Sequence, residues 1–176
     1  ATDTGISVNT VKSWLSVLEA SYMLFFVQPY HVNFNKRITK APKMYFFDTG
    51  LLCFLLGISS AEQLEDHYFF GNIFEDFIVS ELYKKRANKA ERPVFWFWQD
   101  QHGNEIDLLI EENLTMKAIE IKSGQTYNTR FSKGLKLWQN MSGADPVNQF
   151  LVYGGIQDHA IENGTLLPWQ EALRRL

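Results

Sequence analysis

Cysteine is almost missing from this sequence. The single cysteine, Cys53, lies in the apolar run 51–56 and has no second cysteine to pair with. A disulfide within one chain is therefore excluded, and this composition is typical of a protein of the reducing cytoplasm. With 45% hydrophobic residues among 176, the chain can instead build one compact apolar core and a small appendage.

Membrane signals and strong charge are missing as well. No apolar stretch reaches the roughly 18–20 residues that a membrane span requires, and the first residues lack the basic and apolar regions of a signal peptide. The net charge is only −3, which argues against a histone-like coating of nucleic acid. We therefore expect a soluble protein with no membrane partner, in which only local basic patches could contact nucleic acid.

The N-terminal third contains one helix pattern followed by two strand patterns. Ser7 is a good N-cap before an apolar stripe at helical spacing from Val8 to Leu18. β-like runs follow at residues 22–30 and 43–48, separated by a basic loop. This order predicts the C-terminal half of a winged helix-turn-helix, although a solvated helix face and a solubilising loop are an equally good interpretation. The candidate DNA-binding residues are Asn9, Thr10, Lys12, Ser13, Lys36, Arg37 and Lys40.

Three segments are expected along the chain. An apolar helix at 51–56, closed by Gly57 as C-cap, ends the partial winged-helix module at residues 1–57. Residues 58–70 are first acidic and then aromatic, which predicts a linker. Residues 71–176 then form the larger domain.

This larger domain shows a regular alternation of patterns. Its predicted elements are a helix at 72–89, strands at 94–99, 105–111 and 115–123, a helix at 130–141, a strand at 149–154, a weak strand at 165–167 and a short helix at 169–175. Turn residues between the first three strands favour an antiparallel meander, and the crossover helix permits a parallel fourth strand. The α/β (α+β) fold expected from this order is the restriction-endonuclease-like αβββαβ core.

Charged residues interrupt two of the apolar strands at regular positions. In the first of them, alternation predicts Ile106 and Leu108 on one face and Asp107 on the other. In the next strand, Glu120 and Lys122 lie on the face opposite its isoleucines. Two adjacent strands would then present two acids and a lysine at one place.

The helix at 72–89 supplies a further acid. Projected at helical spacing, Glu75 falls inside the apolar arc, where a carboxylate must be paired, protonated or bound to a cation. Glu81 falls within the same arc, but Glu75 is preferred because it lies nearer the helix start. The projection places Asp76 on the polar side.

Together these residues suit a metal-dependent nuclease. Asp107 and Glu120, with the Ile121 carbonyl, would offer Mg²⁺ (or Mn²⁺) the hard oxygen ligands it prefers, and Glu75 would hold the metal directly or through a water. Lys122 would orient the attacking water or stabilise charge on the phosphate. The alternative is an ordinary charge ladder across exposed strand faces, worth at most about 1 kcal/mol.

Five stretches carry a resemblance to a known family. Phe74-Glu-Asp-Phe77 with the following Glu81-Leu82, residues 105–109 and residues 118–124 resemble the PD-(D/E)XK-type domain DUF4143, which lies at the C-terminus of certain bacterial and archaeal AAA-type ATPases. Residues 8–18 and 43–52 resemble the winged helix that precedes it there. The resemblance implies that an ATPase domain precedes residue 1, and that the chain is a C-terminal fragment.

The same resemblance assigns the nuclease-like site and its partners. The family pattern falls on Glu75, Asp107, Glu120 and Lys122, none of which is replaced. DNA and the ATPase domain are the implied partners, and the oligomeric state stays open. No G-x-x-x-x-G-K-[ST] motif is present, so ATP binding by a P-loop is not expected in this chain. Two hypotheses follow: a Mg²⁺-dependent DNA endonuclease, or a non-catalytic DNA- or protein-binding module that regulates the ATPase.

Overall fold

A computed structural model describes residues 5–30 and 40–176 of the chain. The strands in these ranges are β1 (Leu24–Pro29), β2 (Lys43–Phe46), β3 (Phe95–Gln99), β4 (Glu105–Glu112), β5 (Thr115–Lys122), β6 (Gln149–Tyr153), β7 (His159–Ile161) and β8 (Gly164–Pro168). The helices are α1 (Val8–Ala20), α2 (Thr49–Leu55), α3 (Ala61–Glu65), α4 (Phe70–Asn88), α5 (Lys133–Ser142) and α6 (Trp169–Arg175). Two short 3₁₀ turns lie at Thr129–Ser132 and Pro146–Asn148.

In the described ranges, all eight strands join one mixed sheet in the order β2-β1-β3-β4-β5-β6-β8-β7. The meander β3-β4-β5 is antiparallel, and β6 returns parallel to β5 after α5. Both features were predicted from the turn residues and the crossover helix, and both are confirmed. The fold is therefore mixed α/β, with the order α4-β3-β4-β5-α5-β6 in its centre.

Both faces of the sheet are covered by helices. On one face α4 and α6 pack over a cluster that includes Ile78, Leu82 and Leu108. On the other face, Leu135 and Trp138 of α5 pack against a second cluster with Leu109. Burial on both faces explains why the central strands carry long apolar runs with few polar side chains.

The start of α1 is where the sequence predicts it, whereas α2 begins at Thr49, two residues before the predicted start at residue 51; side-chain caps define both starts. Ser7 accepts a hydrogen bond from the Thr10 N–H at 3.1 Å. Asp48 accepts the N–H groups of Gly50 and Leu51 at the start of α2, and Gly57 follows that helix with a φ of +74°. Side-chain capping of free N–H groups and glycine after the last turn are the usual boundary signals.

The strand β4 contains an irregularity that alternation did not predict. Trp96 and Trp98 of β3 are two residues apart, whereas their partners Leu109 and Ile106 on β4 are three residues apart. The extra residue in β4 forms a bulge at Asp107 and Leu108. Residues of β4 before the bulge therefore point to the face opposite to the one that regular alternation from Leu108 predicts. Ile106 consequently packs in the second cluster with Leu109, so the prediction that it shares a face with Leu108 is wrong.

Some smaller elements were not predicted. The helix α3 lies inside the predicted linker at 58–70, and β7 is an additional edge strand that no pattern predicted. The first residues of the predicted helix 130–141 form a 3₁₀ turn before α5 begins. None of the helices in the described ranges is long and apolar enough to cross a membrane.

The N-terminal segment joins the rest of the chain through the sheet. β1 pairs antiparallel with β2 and parallel with β3, so residues of the predicted module 1–57 and of the predicted domain 71–176 form neighbouring strands. The division of the chain into domains stays a prediction. The pairing nevertheless places side chains of β2 beside α4.

Candidate functional site

Glu75 on α4 points toward strand β2. Its Oε1 accepts hydrogen bonds from the Tyr45 hydroxyl at 2.6 Å and from Lys43 Nζ at 3.0 Å. Lys43 and Tyr45 are two residues apart on β2 and therefore extend from the same face of the strand. Burial, followed by the negative charge of Asp107, raises the pKa of Glu75, while Lys43 and Tyr45 partly oppose this effect.

Lys43 lies among three carboxylates. Besides Glu75, its Nζ is 3.7 Å from Asp107 Oδ1 and 3.8 Å from Glu105 Oε2. Burial alone would lower the pKa of Lys43, but Glu75 and the other two acids outweigh it, and the pKa is raised. Lys43 therefore remains an ammonium ion at neutral pH and adds one positive charge to the cluster.

Asp107 is held by the end of the β4–β5 ladder. The last paired residues are Leu108 and Ile119, and beyond them the Asp107 side chain takes the place of a backbone acceptor. Its Oδ2 accepts the Ile121 N–H at 2.7 Å and a longer hydrogen bond from Lys122 Nζ at 3.4 Å. The bulge in β4 lies at this residue, and bulges commonly redirect side chains beside functional sites.

Glu120 has one oxygen with a partner and one without. Its Oε1 is 2.7 Å from Lys122 Nζ, whereas Oε2 is buried with no hydrogen-bond partner among the described residues. Burial, together with the charge of Asp107, raises the pKa of Glu120 to about 8. Partial burial of Lys122 would lower its pKa, yet Asp107 and Glu120 more than offset that effect and raise it.

Helix α5 closes the site from the other side. A Cβ atom placed on Gly134 would lie 2.7 Å from Glu120 Oε2 and 2.4 Å from the Glu105 carbonyl oxygen. Only glycine allows the helix to approach these two atoms so closely. The unpaired oxygen is therefore confined between a strand and a helix rather than open to solvent.

The four predicted site residues form a connected charge network. Lys122 links Asp107 to Glu120, and Lys43 links Asp107 to Glu75. Within residues 5–30 and 40–176, no group of three or more Asp, Glu, His or Cys side chains is arranged to hold a metal ion. Assignment of these residues to a metal or to catalysis stays a prediction.

Asp76 corrects the helix projection. It was expected on the polar side of α4, but only 4% of its surface is exposed. Its Oδ1 accepts the Phe46 N–H at 2.7 Å, and Thr49 Oγ1 lies 3.4 Å from Oδ2. Burial raises the pKa of Asp76 to about 6. The projection failed because it treats one side of a helix as solvent, whereas β2 and α2 cover that side of α4.

Glu81, the second candidate acid on α4, lies apart from the site. Its carboxylate forms an ion pair with Lys84 on the same helix, and its side chain is 37% exposed. This position supports the choice of Glu75 as the inward-facing acid.

The candidate DNA-binding residues have different surroundings. Asn9, Thr10, Lys12 and Ser13 are exposed on α1, which buries none of its side chains, and the Thr10 hydroxyl is hydrogen-bonded to that of Ser7 at 2.8 Å. Lys40 is half-buried. Lys36 and Arg37 lie outside the described residues.

Sequence reasoning missed Lys43 and Tyr45. The local signal for them is their spacing. Lys43 and Tyr45 flank Met44 in a strand pattern, so the ammonium group and the hydroxyl lie on one face of the strand. The acids that they meet lie about 30 residues or more away along the chain. A cleft of about 470 Å³ beside β2, α2 and α4 is lined by Lys43, Glu75 and Glu105 and gives access to this part of the network.

Comparison with known proteins identifies the family. Residues 70–172, more than half of the chain, match DUF4143, described as a domain of unknown function. The chain belongs to the DUF4143 family. Residues 1–62 also match DUF8612, likewise described as a domain of unknown function.

Curated relatives of this DUF4143 protein are longer. An uncharacterized protein of Mycobacterium bovis and one of Mycobacterium tuberculosis are each 31% identical to it over 121 residues. These residues are 69% of this chain but 26% of each relative, so the chain spans about a quarter of their length. No solved structure matches the chain.

Proposed function

We propose that this DUF4143 domain is a Mg²⁺-dependent DNA endonuclease that hydrolyses phosphodiester bonds. The observation that carries the proposal is the buried Oε2 of Glu120, which has no hydrogen-bond partner among the described residues and lies beside the Asp107–Lys122 pair. A buried carboxylate oxygen without a donor is costly. A bound cation would remove that cost.

The net charge and the oxygen donors of the cluster favour the binding of a divalent cation. Four carboxylates, those of Glu75, Glu105, Asp107 and Glu120, surround two ammonium groups, those of Lys43 and Lys122, which leaves a formal charge of −2 when all are ionised. Carboxylate and carbonyl oxygens are the ligands that Mg²⁺ prefers. Asp107, Glu120 and the Ile121 carbonyl would hold the ion, with Glu75 as the outer acid.

When bound, Mg²⁺ would supply an activated water and offset negative charge on the phosphate. Lys122, fixed by Asp107 and Glu120, would orient that water or stabilise charge at the phosphate as a point charge. Asp107 would keep its place through the hydrogen bond from the Ile121 N–H, which aligns the two strand ends. This arrangement supports a PD-(D/E)XK, restriction-endonuclease-like assignment of the order α4-β3-β4-β5-α5-β6.

The partners follow from the parts outside this core. The helix α1 and the β1–β2 hairpin would act as a partial winged helix, with exposed Asn9, Lys12 and Ser13 facing DNA. In the longer protein, an AAA-type ATPase domain would precede this region. The greater length of the curated relatives supports the presence of further domains.

The test is a gel assay with supercoiled, linear, single-stranded and branched DNA in Mg²⁺, Mn²⁺ or EDTA. We expect metal-dependent cutting by the native chain and none by Asp107→Asn. The asparagine variant is preferred to alanine because its amide oxygen can still accept the Ile121 N–H. Asp66→Asn, at the exposed C-terminal end of α3, is the matched control for an aspartate outside the cluster. Cutting by Asp107→Asn at the native rate would overturn the proposal.

A non-catalytic module that binds DNA or protein and regulates the ATPase is the second candidate. The observation in its favour is Lys43, whose ammonium group already neutralises part of the cluster. Metal titration separates the two functions. A metal site should raise the melting temperature of the native chain with increasing Mg²⁺ or Mn²⁺ and lose this rise in Asp107→Asn, whereas a pure binding module should show no rise in either protein.

A further inference from the structure

Lys43 has no role in the proposed hydrolysis, yet it lies in the same cluster. It reaches the carboxylates from β2, whereas the proposed metal ligands come from β4 and β5. Its Nζ is 3.0 Å from Glu75 Oε1 and 3.7 Å from Asp107 Oδ1. A lysine so placed needs an explanation, because removing it would leave three acids close together.

The position of Lys43 relative to Asp107 is informative. Asp107 Oδ2 is already engaged by the Ile121 N–H and by Lys122. Oδ1 is the oxygen left for a cation, and Lys43 Nζ pairs with it. At 3.7 Å the contact is electrostatic rather than a good hydrogen bond. An ammonium ion and a divalent cation at this oxygen would repel each other.

We propose that Lys43 is an internal counter-cation that neutralises the cluster without metal and competes with a divalent cation for it. This inference rests on the proposed function in one respect, namely that a cation binds at Asp107 and Glu120. It adds a determinant of metal affinity that lies on β2, outside the αβββαβ core. Metal binding is thereby coupled to the position of the Lys43 side chain.

The surroundings of Lys43 allow this exchange. The Phe46 N–H donates to Asp76, and the Tyr45 hydroxyl donates to Glu75, so two bonds anchor β2 on α4. The lysine side chain itself is 25% exposed and lines the cleft of about 470 Å³. Displacement by a metal therefore requires only rotation of a flexible side chain into the cleft, while the strand stays in place.

The experiment compares metal binding by the native chain, Lys43→Met and Lys117→Met. Methionine keeps most of the length of lysine but removes its charge. Lys117 is a matched control, because it is a similarly buried lysine in a strand, but it pairs with Glu112 away from the cluster. Mn²⁺ affinity is measured by isothermal titration calorimetry, and melting temperatures are measured in EDTA and in saturating Mn²⁺. Circular dichroism verifies folding, and Lys43→Gln replaces Lys43→Met if the latter does not fold.

We expect Lys43→Met to bind Mn²⁺ about tenfold more tightly than the native chain. It should also melt at lower temperature in EDTA and show a larger rise with Mn²⁺, whereas Lys117→Met should keep the native affinity. Equal or weaker binding by Lys43→Met, with clear binding by the native chain, would overturn the inference and leave the metal site intact. If neither protein binds Mn²⁺, the inference and the proposed function both fail.

Discussion

At the residue scale, the main feature of this domain is a set of buried or half-buried acids, each with different hydrogen-bond and ion-pair partners. Asp76 is satisfied by the Phe46 N–H, and Glu75 by Tyr45 and Lys43. Glu120 shares Lys122 with Asp107 but keeps one oxygen without a donor. Asp76 thus has a structural role in holding β2 on α4, whereas one oxygen of Glu120 can still accept a hydrogen bond or bind a cation.

The pKa of Asp76 predicts a pH-dependent difference in stability. Burial raises this pKa from its ordinary value of 3.8 to about 6. The native state therefore favours the protonated acid, and this contribution to stability is present below pH 3.8 and lost as the pH rises through 6. In Asp76→Asn the side chain stays neutral, and its oxygen can still accept the Phe46 N–H. The free energy of unfolding of the variant should consequently rise relative to the native chain as the pH rises from 4 to 7.

Urea unfolding of both proteins at several pH values between 4 and 8 measures this difference. The comparison cancels the contributions of the other acids, which both proteins share. The difference should become constant above pH 7, where Asp76 is ionised in the folded and unfolded states. A difference that is constant from pH 4 to 7 would show that Asp76 titrates normally in the folded protein.

At the element scale, the site depends on two departures from regular geometry. The bulge in β4 redirects Asp107 toward the side of Lys43 and α4, and it lies where the β4–β5 ladder ends. The close approach of α5 at Gly134 then encloses Glu120. With these two features in place, Asp107 and Glu120 both lie within reach of the Lys122 ammonium group.

Gly134→Ala tests the close approach of α5. The new Cβ would meet Glu105 O at 2.4 Å and Glu120 Oε2 at 2.7 Å, so the helix must shift. We expect a loss of about 1–3 kcal/mol in the free energy of unfolding, the usual cost of overpacking. This cost outweighs the gain of up to about 1 kcal/mol that alanine brings to a helix interior.

Gly71→Ala is the matched control. Gly71 also lies in a helix, but its nearest neighbour to an added Cβ is Ser123 Oγ at 3.8 Å, an ordinary contact. Its stability should be unchanged or slightly higher. If the two substitutions had equal effects in urea unfolding, α5 would not be closely packed against the site.

At the scale of the whole molecule, one sheet crosses the boundary predicted from sequence. β1 pairs with β3, and Phe25, Val27 and Tyr45 lie in the same core cluster as Ile78 of α4. The N-terminal strands thus contribute to the main core and to the charge network. This arrangement predicts that the C-terminal region depends on them for its stability.

Truncation measures this dependence. A fragment of residues 71–176 lacks Lys43, Tyr45 and the Phe46 N–H, so Glu75 and Asp76 would be left without these partners. We expect it to lose at least about 3 kcal/mol of unfolding free energy, since it also lacks Phe25, Val27 and Tyr45, and the loss of even one large core side chain costs about this much. Removal of residues 1–20 is the control, because α1 buries none of its side chains. An equal urea midpoint for the fragment 71–176 and the full chain would establish an independent domain.

The sequence by itself determined the order of elements and most of the candidate site. Strand alternation, turn residues and helix caps act over a few neighbouring residues, so the meander, the parallel β6, the start of α1 and the glycine after α2 could be predicted. The same local patterns singled out Asp107, Glu120 and Lys122, and a family resemblance agreed with them. Tertiary structure alone decided the partners of these residues. The bulge at Asp107, the burial of Asp76 and the position of Lys43 beside Glu75 depend on contacts between distant segments, and local periodicity carries no information about which surface will cover a given face.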